Sequence, residues 1–202
     1  MPEAWATRRM PTNAEIHDTA IPYLDATMEE LFRHSRTIGI GFRDALCDTM
    51  IMGRAIPKGT IVASSTIGEG ALRTPYMVDD KLRSKSSLQS KADGRAKMWD
   101  TSTLHLFVPE RWLVPARKEG AEKGSNEDME FDVSAGPMFT FGLGKRGCFG
   151  RRLAYIEMRA VLTMVVWRFM LEPTPEKLSS WDVIDGLVGA PKQAYVRLRP
   201  AY

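Results

Sequence analysis

Apolar residues near the start of the chain repeat at intervals of three and four positions. This spacing places them on one face of a helix, so it predicts a helix from about Pro22 to His34. Asp25 in the first turn and Arg33 in the last turn suit the charges at the two ends of a helix. The positions expected to face a core are Leu24, Met28, Leu31 and Phe32. The polar residues 1–18 predict a frayed segment instead.

Shorter patterns follow this helix. Residues 49–64 predict two short strands, with turns at Gly53-Arg54 and at Pro57-Lys58-Gly59. Two polar stretches with little periodicity, residues 78–98 and 115–136, predict solvated connections. Residues 193–200 alternate between apolar and polar positions, which predicts a final strand.

A second helix is predicted from about Arg151 to Leu171, where Pro173 stops it. Its C-terminal half is apolar almost all round, which predicts burial. The longest apolar segment of the chain, Ala160–Leu171, lies in this helix. Arg168 interrupts that segment, and it is too short to span a bilayer. We therefore expect no membrane segment.

Composition narrows the class of protein. With 202 residues, 44% apolar and 26% charged, the chain suits one globular domain or one and a half. The net charge of +3 is scattered along the chain, and no nucleic-acid-binding signature accompanies it. We therefore expect no nucleic-acid partner. The two cysteines, Cys47 and Cys148, are too few for a disulfide framework or a multi-cysteine zinc site.

A glycine-rich loop precedes the second helix. Gly142, Gly144 and Gly147 follow a short extended segment and precede a helix, which is the context of a dinucleotide-binding loop. Such a unit also needs a second buried strand soon after the helix. Residues 172–182 (EPTPEKLSSWD) are polar there, so the unit does not close. A dinucleotide-binding module is therefore the weakest of the alternatives.

Cys148 lies in the same loop. A phosphatase-like loop would need an arginine six positions later, where the chain has Ala154. One sulfur ligand is too few for zinc or an iron–sulfur cluster, but it suffices for haem, because the porphyrin supplies four nitrogens. The following helix and nearby basic residues favour a thiolate: Lys145, Arg146, Arg151 and Arg152. A buried structural cysteine beside a glycine-rich turn accounts for the loop equally well.

Three motifs together carry a resemblance to a known family. Residues 141–150 (FGLGKRGCFG) resemble the haem-binding signature of the cytochrome P-450 haem-thiolate monooxygenases, with Phe, Gly, a basic residue, Cys and Gly at fixed spacing. Upstream, Glu30-Leu-Phe-Arg33 resembles the family's Glu-x-x-Arg helix, and Pro109-Glu-Arg-Trp112 is similar to its Pro-Glu-Arg segment. Because the motifs stand in the family's order, the chain is identified as a member, of the fungal microsomal type.

The resemblance implies a fold and its extent. We expect a mainly α protein with small β-sheets (α+β), formed by the C-terminal haem-binding part of the cytochrome P-450 domain over residues 16–202. Residues 1–15 are expected to be a polar, poorly ordered N-terminus. Family members are considerably longer, and the long helix that crosses the distal haem face is missing from this chain. We therefore expect a truncated form.

The resemblance also implies roles for individual residues. Cys148 is expected to be the catalytic thiolate ligand of the iron, Arg146 and Arg43 are expected to pair with haem propionates, and Phe141 is expected to shield the sulfur. The expected haem-contacting residues are Arg43, Phe141, Gly142, Gly144, Arg146, Cys148 and Gly150. Glu30, Arg33 and Arg111 are expected to form a buried structural network. Residues 38–42 and 187–189 resemble segments that line the substrate pocket.

The activity implied is insertion of one oxygen atom of O₂ into an apolar organic substrate, with haem as cofactor. Electrons would come from an NADPH-dependent reductase that docks on the basic surface around Lys145, Arg151 and Arg152. Family members of this type are bound to the endoplasmic reticulum membrane, but the sequence itself assigns no location. The alternative is a non-catalytic remnant of the family that binds haem weakly or not at all, since the distal helix and its proton-delivering residues are missing.

Overall fold

The structure is a computed structural model that describes residues 1–35, 37–65, 72–116, 129–137, 140–142, 144–180, 182–184, 186 and 188–202. Five α-helices lie in these ranges: α1 (Pro2–Ala6), α2 (Asn13–Asp18), α3 (Pro22–Ser35), α4 (Lys85–Ala92) and α5 (Arg151–Arg168). Short 3-10 helices cover Asp80–Leu82, Thr101–Thr103, Pro109–Trp112, Gly144–Arg146 and Glu176–Leu178. None of the described helices has the length and apolar character needed to cross a membrane.

The strands of the described residues form antiparallel pairs rather than one large sheet. They are β1 (Ile40–Asp44), β2 (Thr49–Ile51), β3 (Arg54–Ile56), β4 (Ile61–Ser65), β5 (Leu113–Pro115), β6 (Met129–Phe131), β7 (Phe169–Glu172), β8 (Val183–Ile184), β9 (Ala190–Pro191) and β10 (Arg197–Pro200). The pairs are β1 with β4, β2 with β3, β5 with β6, β7 with β10 and β8 with β9. Helices joined to small sheets confirm the predicted α+β class.

The core lies where α3 meets α5 and the 3-10 helix Pro109–Trp112. Met28 and Phe32 of α3 are buried, as their helical spacing predicts, whereas Leu24 and Leu31 are only half-buried. Trp112 of the 3-10 helix is fully buried. The observed helix Pro22–Ser35 confirms the predicted one to within a residue. The core therefore joins elements about 80 and 125 residues apart, and a residue of each predicted motif contacts it: Glu30, Trp112 and Phe141.

Residues 1–18 contain α1 and α2, which differs from the frayed segment that the sequence predicts. Thr12 caps α2 by accepting the Glu15 N–H at 3.2 Å, and the Glu15 carboxylate accepts the Thr12 N–H at 2.8 Å. This reciprocal capping satisfies N–H groups that a helix N-terminus otherwise leaves unpaired. Trp167 of α5 donates to the Arg9 carbonyl at 3.0 Å, which ties the segment to the rest of the fold.

The hairpin region has more strands than the sequence predicts. β2 and β3 turn at Met52 and Gly53, whose φ angles of 49° and 77° suit the tight turn of a two-residue hairpin. The turn therefore lies one residue earlier than the predicted Gly53-Arg54. The Pro57–Gly59 turn is confirmed, but the strand after it pairs with β1, which the sequence reading missed. This pairing is non-local, so the local pattern does not reveal it.

Two polar stretches behave differently from prediction. Residues 78–98 contain the 3-10 helix Asp80–Leu82 and the helix α4, so the prediction of a loop is wrong there. Neither helix buries a residue, which agrees with a solvated segment. The Ser84 side chain caps α4 by accepting the Ser87 N–H at 3.2 Å. Of the second stretch, residues 117–128 lie outside the described residues, and β6 occupies part of the remainder.

The long helix α5 ends at Arg168, not at the predicted Leu171. Phe169–Glu172 forms β7 instead, because it pairs with the predicted final strand, observed as β10. The predicted burial of its C-terminal half is wrong for three described side chains: Val161, Met164 and Val166 are 51%, 42% and 57% exposed. Among the described elements, α5 packs mainly against α2, α3 and β7, which leaves these apolar side chains uncovered.

Candidate functional site

The Cys148 loop is closed by backbone hydrogen bonds. The Cys148 N–H donates to the Phe141 carbonyl at 2.7 Å, and the Gly147 N–H donates to the Gly144 carbonyl at 3.0 Å. Gly142 and Gly144 have φ angles of 66° and 64°, in the left-handed region that favours glycine. The glycines therefore let the chain fold back on itself within a few residues and present Cys148 immediately before α5.

The Cys148 side chain is exposed at this point. It opens onto a shallow cavity of about 530 Å³ lined by Cys148, Phe149, Arg151, Arg152, Tyr155 and Ile156. A Cβ at Gly150 would lie 3.8 Å from the sulfur, so a larger side chain there would cover it. The loop thus holds a single thiol in an open cavity beside two cationic side chains. In the described residues, no cluster of three or more His, Cys, Asp or Glu side chains is arranged to hold a metal ion.

Arg146 and Arg43 are both exposed, Arg146 in the 3-10 helix before Cys148 and Arg43 on β1. Neither forms an ion pair with a described residue, and within the described part of the chain the Arg43 guanidinium donates only to the neighbouring Phe42 carbonyl, at 2.7 Å. Guanidinium groups match carboxylates in shape and charge. Each therefore retains its capacity to bind an anion.

The segments expected to line a substrate pocket come together at one point. The Gly189 N–H donates to the Thr37 carbonyl at 2.9 Å, which joins the end of the predicted segment 187–189 to the residue just before the predicted segment 38–42. Leu187 lies outside the described residues. Nearby apolar side chains are more than half exposed: Ile38, Ile40, Phe42 and Val188. They give this part of the molecule an apolar surface.

The three residues expected to form a structural network are brought together and buried. The Arg33 guanidinium binds the Glu30 carboxylate through two nitrogens, at 2.8 and 2.7 Å. Arg111, which is 81 residues from Glu30 in the sequence, donates to the same carboxylate at 3.1 Å. All three side chains are at most 5% exposed.

Further groups complete the shell of Glu30. The Val108 N–H and the Trp112 indole N–H donate to its two oxygens at 2.8 and 3.0 Å. The remaining guanidinium N–H groups donate to backbone carbonyls, among them Leu104 and Thr103 at 2.7 and 3.0 Å. Burial acts to raise the pKa of Glu30, but its hydrogen bonds outweigh burial and hold the pKa below its usual range. The network is therefore ionised and saturated with partners.

Trp99 packs over this network, although it belongs to none of the three sequence motifs. The Arg111 and Arg33 guanidinium carbons lie 5.3 and 5.7 Å from the centre of its ring, in the range of cation–π contacts. The ring also packs edge-on against Trp112 at 4.8 Å. Trp112 belongs to the Pro-Glu-Arg motif, so the sequence could have indicated its place in the network. The sequence around Trp99 contains no such motif.

A second buried polar cluster joins α2, α3 and α5, and no sequence motif predicts it. The Arg159 guanidinium donates to the Ile16 carbonyl at 2.7 Å, to the Thr19 carbonyl and to the Asp25 carboxylate. Burial raises the pKa of Asp25, although Arg159 acts to lower it. One arginine of α5 thus fixes the chain between α2 and α3.

The last feature of the site lies between α3 and the cysteine cavity. The Tyr155 hydroxyl of α5 donates to the carboxylate of Glu29, which is 1% exposed. Burial raises the pKa of Glu29, against the effect of this hydrogen bond. Burial and the neighbouring carboxylate also raise the pKa of Tyr155, so its hydroxyl remains a donor.

Known proteins match this chain over segments that include both the cysteine loop and the Glu30 network. The cytochrome P450 family model matches residues 6–68 and 96–197. The Hps1-dma1 cluster cytochrome P450 monooxygenase cyp3.1 of Dothistroma septosporum is 40% identical over 200 residues, which are 96% of this chain and 62% of that protein. Cytochrome P450 monooxygenase TRI13 of Fusarium sporotrichioides is 38% identical over 200 residues, which are 97% of this chain and 34% of that protein.

A solved structure gives the same result for the fold. Retinoic acid bound cyanobacterial CYP120A1 matches with a TM-score of 0.53 and 23% sequence identity, over 89% of this chain and 32% of that one. The chain therefore spans between about a third and three fifths of the length of the proteins it matches.

Proposed function

Since the chain belongs to the cytochrome P450 family, we propose that it forms the thiolate side of a haem monooxygenase, with Cys148 as the iron ligand. The observation that carries the proposal is the exposed Cys148 sulfur, held by a hydrogen-bonded glycine loop at the mouth of an open cavity. A structural cysteine would instead be packed into the core.

The residues present fit a haem group. The absence of a side chain at Gly150 leaves the sulfur uncovered for a flat ligand. Arg146 and Arg43, which have no acidic partner among the described residues, would hold the propionates. When bound, haem supplies the binding and activation of O₂ for insertion of one oxygen atom into a substrate.

The protein's own residues contribute position and charge. The Phe141 carbonyl fixes the Cys148 backbone, and Arg151 and Arg152 bring positive charge to the cavity that Cys148 faces. Phe141 packs against Phe32 with ring centres 4.9 Å apart, which anchors the beginning of the loop on α3. The saturated Glu30 network then fixes α3 relative to the Pro109–Trp112 segment.

The substrate and the electron donor belong to the same proposal. The exposed apolar side chains around β1, including Ile40 and Phe42, suit an apolar organic substrate. Lys145, Arg151 and Arg152 are exposed and form no ion pair with a described residue, so they can face an acidic protein surface. A reductase that draws electrons from NADPH is the proposed partner.

The openness of the cavity favours a second candidate, a chain that binds haem without turnover. Water that reaches a reacting centre promotes side reactions, and oxidation of a substrate needs a drier site. The two candidates share Cys148 as ligand and differ only in product formation with a reductase.

Carbon monoxide difference spectroscopy tests the proposed ligand. The chain is produced with haem supply, reduced and exposed to carbon monoxide, and the Soret band is recorded. We expect a strongly red-shifted band that disappears in Cys148→Ser and persists in Cys47→Ser, the matched control at the other exposed cysteine. Absence of bound haem in the unmodified chain, or an unchanged band in Cys148→Ser, would overturn the proposal.

A further inference from the structure

Tyr155 lies one and a half turns along α5 from Cys148's loop, and the cysteine cavity and a second cavity share it as a wall. The cysteine cavity is described above; the second, of about 400 Å³, is lined by residues of α2, α3 and α5, including His17, Asp25 and Arg159. The side chain is half-buried, with open space where it faces the two cavities. Its position must therefore come from specific contacts.

The hydroxyl provides the first of these contacts. It donates to Glu29, a carboxylate buried on α3, so the far end of the side chain is tied to the core. A hydrogen bond to a buried carboxylate is stronger than one between neutral groups. The tie is specific to this pair of residues, 126 positions apart.

The ring provides the second set of contacts. It lies 5.0 Å from the Phe32 ring and 5.6 Å from the Phe141 ring, and these two rings lie 4.9 Å from each other. The three aromatic side chains thus form one cluster that joins α3, the cysteine loop and α5. Phe141 is also the residue whose carbonyl accepts the Cys148 N–H at 2.7 Å. Phe141 therefore connects the Tyr155 ring directly to the backbone of Cys148.

Arg151 makes the third contact. Its guanidinium carbon lies 5.4 Å from the centre of the Tyr155 ring, a cation–π distance, and the same side chain lines the cysteine cavity. Its backbone N–H donates to the Cys148 carbonyl at 3.3 Å. The ring of Tyr155 thus contacts both residues that bond to the backbone of Cys148.

We infer that Tyr155 is a positioning residue for the cysteine ligand: anchored on Glu29, its ring holds Phe141 and Arg151 in place at the Cys148 loop. The functional meaning of this role rests on the proposed function, in which the Cys148 sulfur binds iron. The positional part does not, because it concerns the hydrogen bond between Cys148 and Phe141 in the chain without haem.

Hydrogen exchange of the Cys148 amide, followed by NMR in the haem-free chain, tests the positional part. Tyr155→Phe keeps the ring and removes the hydroxyl. We expect exchange at Cys148 to accelerate about three- to tenfold, the range that corresponds to loss of one buried hydrogen bond. Tyr23→Phe is the matched control, because the Tyr23 hydroxyl also donates to a glutamate, Glu110, at 2.8 Å but on the exposed surface. Equal exchange rates in the two variants would overturn the inference.

The Glu29 side of the bond provides an independent check. Glu29→Leu removes the acceptor and should accelerate exchange at Cys148 as much as Tyr155→Phe, while the double variant should add little to either. Glu29→Gln keeps an acceptor oxygen and should preserve most of the protection. Additive effects in the double variant would contradict a shared hydrogen bond.

The spectrum of the haem-loaded chain tests the functional part. In Tyr155→Phe the share of the reduced carbon monoxide complex with the red-shifted thiolate band should fall about three- to tenfold, with haem still bound. An unchanged share would overturn the role at the ligand. Accelerated exchange in a chain that never shows this band would refute the proposed function while leaving the positioning of the loop supported.

Discussion

The arginines around Glu30 and those around Cys148 have opposite surroundings. Arg33 and Arg111 are buried, share one carboxylate and donate their other N–H groups to backbone carbonyls. Arg146 and Arg43 are exposed and have no acidic partner among the described residues. A buried charge needs such partners to be tolerated at all, whereas an exposed one is stable in water. The first pair therefore serves the fold, and the second is free to serve a ligand.

The cysteine loop continues this contrast. Its backbone is held by hydrogen bonds such as that from the Cys148 N–H to the Phe141 carbonyl, yet its sulfur faces an open cavity. Rigid support and an uncovered functional group are what a binding site needs. The Tyr155–Glu29 pair connects the two regions, because Glu29 lies next to Glu30 on α3.

The largest expected effect comes from breaking the Glu30 network. Arg33→Leu leaves the Glu30 carboxylate buried without its main cationic partner, so we expect a loss of about 3–5 kcal/mol in the free energy of unfolding. Urea denaturation followed by circular dichroism measures it. Arg95→Leu, which breaks the exposed Arg95–Asp93 pair at 2.6 Å, is the control and should have little effect. A loss equally small in both variants would refute the structural role of the network.

A smaller effect is expected at Trp112. Trp112→Phe retains an aromatic ring but removes the indole N–H that donates to Glu30 at 3.0 Å. We expect a loss of about 1–3 kcal/mol, the cost of one missing bond to a buried charged acceptor plus some lost packing. The same denaturation experiment measures it. A stability equal to that of the unmodified chain would show that the other donors satisfy Glu30 alone.

The neighbouring carboxyls Glu29 and Glu30 should respond to pH in opposite directions. The pKa of Glu30 is lowered, so its contribution to stability is present above about pH 4 and is lost as pH falls below that. The pKa of Glu29 is raised, so the folded state holds its proton longer and stability falls as pH rises from about 4 towards that raised pKa.

Glu29→Gln isolates this second effect. The variant removes the titration of Glu29, so its stability relative to the unmodified chain should increase as pH rises above about 4, by about 1.4 kcal/mol per unit of pKa difference. Unfolding curves between pH 3 and pH 7 measure the difference. A difference that stays constant with pH would show that the Glu29 pKa is not raised in the folded chain.

The smallest effect on stability is expected at the exposed arginines. Arg146→Ala and Arg43→Ala should leave the unfolding free energy nearly unchanged, because neither side chain has an acidic partner to lose among the described residues. Each should weaken haem binding several-fold, since a propionate would lose a charged partner. Haem titration followed by absorbance measures the affinity. A large loss of stability with unchanged haem affinity would reverse the assignment of these two arginines.

Sequence patterns predicted the parts of the molecule that depend on local order. The helix α3 follows from apolar spacing, and the short motifs point to Glu30, Arg33 and Arg111, which meet in one buried network. The ligand role of Cys148, which a third motif suggests, stays a prediction. Pairings between distant segments were not predictable in this way. The strand β7 looked like the end of a helix because its partner β10 is about 28 residues away. The bond from Tyr155 to Glu29 spans 126 residues and has no local signal.

Exposure was also hard to predict, because it depends on what covers a segment. The apolar C-terminal half of α5 predicts burial, yet Val161 and Val166 are more than half exposed. Conversely, nothing in the sequence around Arg159 shows that its side chain is buried between α2 and α3. Burial follows from tertiary packing rather than from local composition.

X-ray absorption at the iron edge of the haem-loaded chain tests the central claim most directly, because it identifies the atoms bound to iron. We predict one sulfur neighbour in addition to the porphyrin nitrogens in the unmodified chain and in Cys47→Ser, and no sulfur neighbour in Cys148→Ser. An iron surrounded only by nitrogen and oxygen in the unmodified chain, or a sulfur neighbour that persists in Cys148→Ser, would contradict the assignment of Cys148 as the ligand.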